Sequence, residues 1–357
     1  MDGSDGQAAA DGQSVNEPSV SVVVPCRNEA GHIEEALASI LRQEEIPGGM
    51  EVLVADGMSD DGTREILQRI AREDARLRVI DNPGRIVPTG LNAAIRASRG
   101  EIVVRMDAHT EYAPDYVAQC VTVLQATGAD NVGGPWRAAG KSWLQQAIAL
   151  AFQSPFSSGG AGSHDLDYEG AVDSVYLGCW KKSTLERLGL FDEELVRNQD
   201  DELNLRLVRA GGRVWQSPQI RSCYYPRSSL KALFRQYSQY GYWKVRVIRK
   251  HRLPASFRHL VPGAFVASLF VLSLMVPFFG WAAVMLSLLV GLYLLLTILA
   301  SLVTCRHPEN RKYAPIMPIV FAAYHLGYGW GFLRGVVDFL LLRRGGGDSF
   351  KTLTRKG

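Results

Sequence analysis

Two rhythms of hydrophobic and polar positions divide the chain. Up to about residue 225, short Val/Ile-rich runs end in polar residues: VSVVVP (20–25), MEVLVAD (50–56), LRVID (77–81) and EIVVRMD (101–107). Between them, apolar residues recur at helical spacing from Glu29 to Gln43, Thr63 to Asp74 and Leu91 to Ser98. Strand, helix, strand in succession predicts an α/β fold with a parallel sheet covered on both faces, whose ligand crevice lies at the carboxyl ends of the strands. The acidic residues sit at those ends.

The second rhythm is continuous apolarity. No residue from Leu260 to Cys305 is charged, a length about twice the roughly 20 residues of one membrane-spanning helix. Two spans are predicted, about 260–280 and 282–304, with Pro277, Gly280 and Trp281 marking the turn between them. Both flanks, WKVRVIRKHRLPASFRH and CRHPENRKY, are basic, which places them on the cytoplasmic side of a cell (inner or plasma) membrane. Residues 19–250 then form a cytosolic domain, and 251–357 a multi-pass membrane region. A third apolar stretch, about 314–342, holds Arg334 and Asp338 four apart, as an intrahelical pair would be. A full crossing would carry Arg343 and Arg344 outside, so a span and a re-entrant or interfacial helix both stay open.

Composition narrows the class. Of 357 residues, 47% are hydrophobic, enough for a full core. The balance of 39 Lys+Arg against 36 Asp+Glu gives a net charge of +3, which predicts no general attraction to nucleic acid. Five scattered cysteines without a CxxC pair suggest neither a disulfide framework nor a zinc knuckle. Residues 1–18, without a basic residue or apolar run, read as a disordered tail and not as a signal peptide.

Three places carry candidate chemistry. In ADGMSDDGT (55–63), Asp61 or Thr63 suits the N-cap of the next helix, while Asp56 at the strand end suits a base or ribose contact. In MDAH, Asp107 and His109 flank one small residue; at a strand end both side chains fall on one side, within reach of one hard divalent ion. A polar strand end turning into solvent is the alternative. In RNQDDELNLR, the dipole of a helix explains some of Asp200, Asp201 and Glu202 but not all three. A carboxylate there, facing a crevice, is what general-base catalysis on a hydroxyl requires. Trp136 and Trp180 suit either a sugar-stacking face or the core.

In their order, the segments VSVVVPCRNEAGHIEEALASI, VLVADGMSDDGT, GLNAAIRASRGEIVVRMDAH, GCWKKSTLERLGLFDEEL, NQDDELNLR and QYGYWK resemble family 2 glycosyltransferases of the GT-A fold. The likeness is greatest to the subgroup of succinoglycan and similar exopolysaccharide synthesis. It covers about residues 19–250 and implies a Rossmann-like nucleotide-diphospho-sugar transferase domain followed by C-terminal transmembrane helices. By this resemblance Asp56 contacts the nucleobase, Pro25, Arg27, Asn28 and Glu29 line the nucleotide pocket, and Asp107 is the first acid of the DxD motif. His109 stands at the second acid and would share a Mn2+ or Mg2+ ion with Asp107. Asp200 matches the catalytic base, with Asp201 as the fallback, and Gln199 replaces the glutamate that normally precedes it. QYGYWK resembles the QxxRW segment on the acceptor side, through Gln239, Tyr242 and Trp243, with Tyr242 in place of the arginine. The aromatic residues around it suit an interfacial belt equally well.

The resemblance implies an inverting transfer of a sugar, as from UDP-hexose, onto a lipid-linked saccharide in exopolysaccharide or cell-surface glycan synthesis, alongside other glycan-assembly proteins. The alternatives are a polyprenyl-phosphate glycosyl synthase and a non-catalytic membrane scaffold with a decayed transferase domain.

Overall fold

The computed structural model describes residues 20–254, 256–344 and 350, and the tail expected at 1–18 lies outside them. The strands are β1 (Val20–Cys26), β2 (Met50–Asp56), β3 (Leu77–Asp81), β4 (Ile102–Arg105), β5 (Thr110–Tyr112), β6 (Asn131–Gly134), β7 (Gly170–Ala171), β8 (Tyr176–Lys181), β9 (Val214–Gln216) and β10 (Ser222–Tyr224). Helices of the same region are α1 (Ile33–Leu41), α2 (Thr63–Glu73), α3 (Val87–Ala97), α4 (Tyr116–Thr127), α5 (Trp143–Gln153), α6 (Pro155–Ser158), α7 (Lys182–Leu188) and α8 (Gln199–Arg209). They are followed by α9 (Leu230–His251), α10 (Val261–Met275), α11 (Gly280–Thr304) and α12 (Met317–Gly335).

The four strands and three helices expected between residues 20 and 107 all form. β1 runs parallel to β2 and β4, and β2 parallel to β3. The whole sheet, in order β3-β2-β1-β4-β8-β6-β9-β7, is mixed and not purely parallel, because β8 returns antiparallel between β4 and β6. Alternation sorts the two faces. Val22 and Val24 of β1 and Val104 of β4 pack with Ile33, Leu37, Leu67 and Val117 on one side; Val23 and Val103 pack with Leu91, Leu185, Leu203 and Leu207 on the other. Both faces are dry, which is why these strands read as unbroken apolar runs.

β4 ends earlier than expected, at Arg105. Asp107 and His109 therefore lie in the turn that follows, and the Tyr112 hydroxyl holds that turn, accepting from the Asp107 N–H at 2.5 Å and donating to the Asp107 carbonyl at 3.1 Å.

Beyond α9 the packing changes character. Phe257–Met275 and Gly280–Thr304 are the helices among the described residues that are long and apolar enough to cross a membrane. Their side chains face outward, as with Phe270 (63% exposed), Leu288 (61%) and Val303 (67%), where a soluble core helix would bury them. α12 differs. It packs along α9 through glycines: a Cβ on Gly241 would overlap the Tyr328 carbonyl oxygen, and one on Gly331 that of Ser238. Such contacts let two backbones approach where any side chain would hold them apart. Asp338, just beyond α12, pairs with Arg334 at 3.4 Å as expected, and also accepts from the Tyr242 hydroxyl at 3.0 Å.

Gly331→Val should destabilise the protein by about 1–3 kcal/mol or more, because backbone and not a movable side chain blocks the added methyls. Gly291→Val, on α11 with nothing near its Cβ direction, should leave thermal denaturation in detergent unchanged. Equal melting temperatures for the two variants would show that the α9–α12 contact is not tight.

Candidate active site

The alternation that sends Val103 toward α8 sends Arg105 the same way. Arg105 is a charge at the end of a buried strand, its side chain 6% exposed, and it survives there by meeting two carboxylates. Its Nε and Nη2 donate to Oδ1 and Oδ2 of Asp107, each at 3.0 Å, and its Nη1 donates to Asp200. Burial works against the guanidinium charge, but Asp107 and Asp200 hold it firmly protonated.

The first turn of α8 presents its three acids to three different partners. Asn198, in the left-handed conformation at φ 61°, caps the helix, and its Nδ2 donates to the Tyr240 carbonyl at 2.9 Å. Asp200 then faces Arg105. Asp201 meets Lys244 Nζ at 2.7 Å, and the fully buried Glu202 meets Arg206, Lys250 and His251 at 2.8–2.9 Å. Their acidities diverge accordingly. Burial pushes the Asp200 carboxyl above the ordinary aspartate range, with Asp107 and Asp201 reinforcing and Arg105 opposing. Burial would raise Asp201 as well, yet the Lys244 ammonium holds it below that range. The Asp200 side chain remains 35% exposed, so its surroundings are a cavity wall and not dry core.

Opposite lies the loop after β1. His109 Nε2 is 2.5 Å from Glu29 Oε1, and Glu29 Oε2 is buried without a hydrogen-bond partner among the described residues. Asn28, at φ 54°, exchanges hydrogen bonds with Asp60, while Asp61 accepts from Ala30 and Thr63. The capping reading of the ADGMSDDGT turn is met, since Asp61 accepts from the Thr63 N–H. Asp61 ties the loop to the start of α2; Asp56 sits wholly buried at the end of β2, accepting from the Ser59 hydroxyl at 2.5 Å and from Arg64 at 3.1 Å. Pro25 pairs with Ala55 in the β1–β2 register beside it.

One cavity of about 1200 Å³ joins these groups to the apolar helices. Arg27, Glu29, Arg105, Asp107, His109, Asp200 and Asp201 line it, and so do Phe265 of α10, Leu289, Leu292 and Tyr293 of α11, and Tyr324 of α12. Pro25, Asn28 and Asp56 are not on its wall. Trp136 is, whereas Trp180 is core, 2% exposed against Phe191.

The acceptor-side expectation needs correction in place. Gln239, Tyr242 and Trp243 are buried away from the cavity and form no exposed interfacial belt. Gln239 accepts from Arg197; Tyr242 stacks on Phe350 at 4.1 Å; Trp243 donates to the Phe350 carbonyl. Helical rotation puts Gln236, Tyr237, Tyr240 and Lys244 on the wall instead. Arg105, Lys244 and Arg197 were missed by motif reading. A charge inside EIVVRMD was the one available signal, and it pointed to Arg105.

The fold and site define a class. The mixed α/β, GT-A-like fold is shared with the mannosyltransferase PcManGT from Pyrobaculum calidifontis, solved in complex with GDP-Man and Mn2+, at a TM-score of 0.59 and 22% identity over 88% of each chain. The glycosyl transferase family 2 model matches residues 21–178. The chain is 34% identical over 327 residues to the succinoglycan biosynthesis protein ExoA of Rhizobium meliloti (strain 1021), covering 89% of this chain and 95% of the other. It is 23% identical over 329 residues, 89% of this chain and 97% of the other, to a dolichyl N-acetyl-alpha-D-glucosaminyl phosphate 3-beta-D-2,3-diacetamido-2,3-dideoxy-beta-D-glucuronosyltransferase of Methanococcus voltae. The chain belongs to glycosyl transferase family 2 and is a glycosyltransferase.

The three acids of α8 should separate by stability. Glu202→Ala takes the carboxylate from Arg206 and His251, while Lys250 keeps Asp192, and should cost about 3–5 kcal/mol. Asp200→Asn keeps an amide oxygen for the Arg105 Nη1 donor and leaves Asp107 as counter-charge, so it should cost clearly less than Glu202→Ala. A large drop for Asp200→Asn would make that residue structural.

Proposed function

We propose that this glycosyltransferase is anchored in the membrane by α10 and α11 and moves a sugar from a nucleoside-diphosphate sugar, UDP-hexose being the expected donor, to a lipid-linked saccharide with inversion. The observation that carries this reading is the continuous cavity, lined by charged side chains of both signs at the sheet and by apolar ones between the helices. A soluble donor needs the first end, and an acceptor with a hydrocarbon tail needs the second. The name of the Methanococcus voltae relative, a transfer onto a dolichyl phosphate sugar, agrees. The exposed apolar belt on α10 and α11 supports the anchor, with the body of residues 19–250 in the cytosol and α12 held against α9 on that side.

In this reading the acceptor hydroxyl attacks the anomeric carbon from the face opposite the leaving group. The new C–O bond forms as the bond to the diphosphate oxygen breaks. The hydroxyl proton passes to an Asp200 carboxylate oxygen, and the nucleoside diphosphate departs. Asp200 is favoured over Asp201 because Lys244 already occupies Asp201 and lowers its basicity, while burial raises that of Asp200.

A divalent cation fits the donor end by the chemistry of its groups. Asp107 and His109 face the cavity with hard oxygen and nitrogen donors, and the unpartnered Glu29 Oε2 lies beside them. Among the described residues no three such side chains gather as a ready-made metal cluster, so Asp107 and His109 would hold the ion together with ligand and water oxygens. When bound, the ion would neutralise charge on the leaving diphosphate. A proton on Nε2 directed at Glu29 leaves His109 Nδ1 as the ligating nitrogen.

Membranes containing the protein should transfer radiolabel from a nucleotide sugar into organic-extractable lipid, and Asp200→Asn should lower that rate by about 10²–10⁴-fold. Label recovered only in water-soluble product would sink the lipid-linked acceptor. An active Asp200→Asn enzyme would favour a lipid phosphate as nucleophile, which needs no strong base. Arg105→Met removes the charge that opposes the rise in the Asp200 pKa. The rate, lost as pH falls through the pKa of the base, should then be lost about one to three pH units higher than in the wild type; superimposable pH–rate profiles would remove Arg105 from the base's environment.

A further inference from the structure

The cavity wall carries the cationic side chains Arg27, Arg105, Arg197, Arg227, Lys244 and Arg258. Arg105 is matched by Asp107 and Asp200, Lys244 by Asp201, and Arg258 by Asp173. Arg197 has no such match. Among the described residues its one hydrogen bond runs from Nε to Oε1 of Gln239 at 3.2 Å, and no carboxylate lies within ion-pair reach. Both terminal nitrogens, with their four N–H donors, are left over. Burial pushes the Arg197 guanidinium below the ordinary arginine value, so the site works against its own charge unless an anion arrives.

The surroundings of Arg197 are built of further donors. Gln236 Nε2 donates to the Tyr240 hydroxyl at 2.9 Å and to the Tyr224 hydroxyl at 3.2 Å, and its Oε1 accepts from Arg227 Nε at 3.3 Å. Arg197 and Arg227 both act electrostatically on the Tyr240 hydroxyl. Two guanidinium groups around tyrosine hydroxyls on a cavity wall have the planar, multidentate geometry that phosphate oxygens accept.

Position decides whose phosphate it is. Arg197 stands three residues before Asp200, in the loop pinned to Tyr240 by Asn198. From Tyr240 the wall continues through Tyr237 (5.5 Å between rings) to Tyr324 (4.3 Å), and the neighbouring His325 meets Tyr293 of α11 at 3.1 Å, among Leu289 and Leu292. Base, uncompensated cation, then hydrocarbon: this is the head-to-tail order of a saccharide joined through phosphate to an isoprenoid chain. The donor's diphosphate belongs at the other group, with Asp107, His109 and Arg27.

We propose that Arg197 and Arg227, with Tyr240, form a subsite for the phosphate or diphosphate that links the acceptor saccharide to its lipid. This rests on the transferase reading above and adds to it a specificity: an isoprenoid phosphate is recognised by charge, not by its tail alone.

The test uses the full chain purified in detergent and follows ligand binding by thermal shift, so that it needs no turnover. Farnesyl diphosphate should stabilise the wild type in a saturable way while farnesol does not, and Arg197→Met should weaken that binding about ten- to a hundredfold, with Arg197→Lys recovering part. Saturating UDP should leave farnesyl diphosphate binding unchanged, and Arg197→Met should keep the wild-type response to UDP. Should Arg197→Met fail to fold, Arg227→Met is read by the same criteria. Equal stabilisation by farnesol, competition between UDP and farnesyl diphosphate, or unchanged affinity in a folded variant would overturn the subsite. A wild type that binds farnesyl diphosphate but transfers sugar to no lipid-linked acceptor would sink the lipid-linked-acceptor reading and leave Arg197 and Arg227 as a binding site for an isoprenoid phosphate.

Discussion

A single buried guanidinium organises the site. Arg105 completes a strand whose other residues are aliphatic, and a charge at that depth is tolerable only if carboxylates come to it. Asp107 comes from the next turn of the same chain, and Asp200 from α8 about a hundred residues on. The two carboxylates would repel without the cation between them; with it, they stand on one wall of one cavity. Whatever fixes Arg105 therefore fixes the relation between Asp107 and Asp200. The sheet does this through the β1–β4 pairing and the two dry faces that leave β4 no freedom of register.

The second organising feature is how the α/β fold is joined to a pair of lipid-suited helices without sealing the cavity between them. α9 serves as the joint. One side of it is pressed on α12 by glycine contacts that exclude side chains, and this is the side where Tyr242 and Trp243 are spent on packing. Its other side supplies Gln236, Tyr237, Tyr240 and Lys244 to the wall. Lys244 then reaches Asp201 and Asn198 reaches the Tyr240 carbonyl, so the helix that holds α12 also positions the first turn of α8. A disturbance of the bundle would be felt at the carboxylates by this short route.

Local order was legible from sequence where period and chemistry agreed. β1 to β3, the helices between them and the apolar hairpin follow from alternation, helical spacing and length, since each depends on neighbours in sequence. The candidate acids Asp107, Asp200 and Asp201 were legible for a related reason: unpaired acids at strand ends and helix starts stand out against an aliphatic background. The QYGYWK segment was not legible, because a one-residue difference in helical rotation turns a wall residue into a packing residue. The third apolar stretch resisted as well, since its glycines suit close packing on α9 as well as a membrane.

By itself the sequence determined which elements form, which segments suit water and which suit lipid, and which residue types are available for acid–base chemistry. Those properties are set within a few turns of chain. The tertiary structure alone decided that three successive acids of one helix turn have three separate fates, one facing a cavity beside Arg105, one held by Lys244, one buried among Arg206, Lys250 and His251. It also decided that Arg197 is left without a counter-charge among the described residues. The reason is physical. A carboxylate's basicity and a cation's compensation depend on groups far apart in sequence and a few ångströms apart in space, and only the packing of sheet, α8 and α9 brings them to that distance.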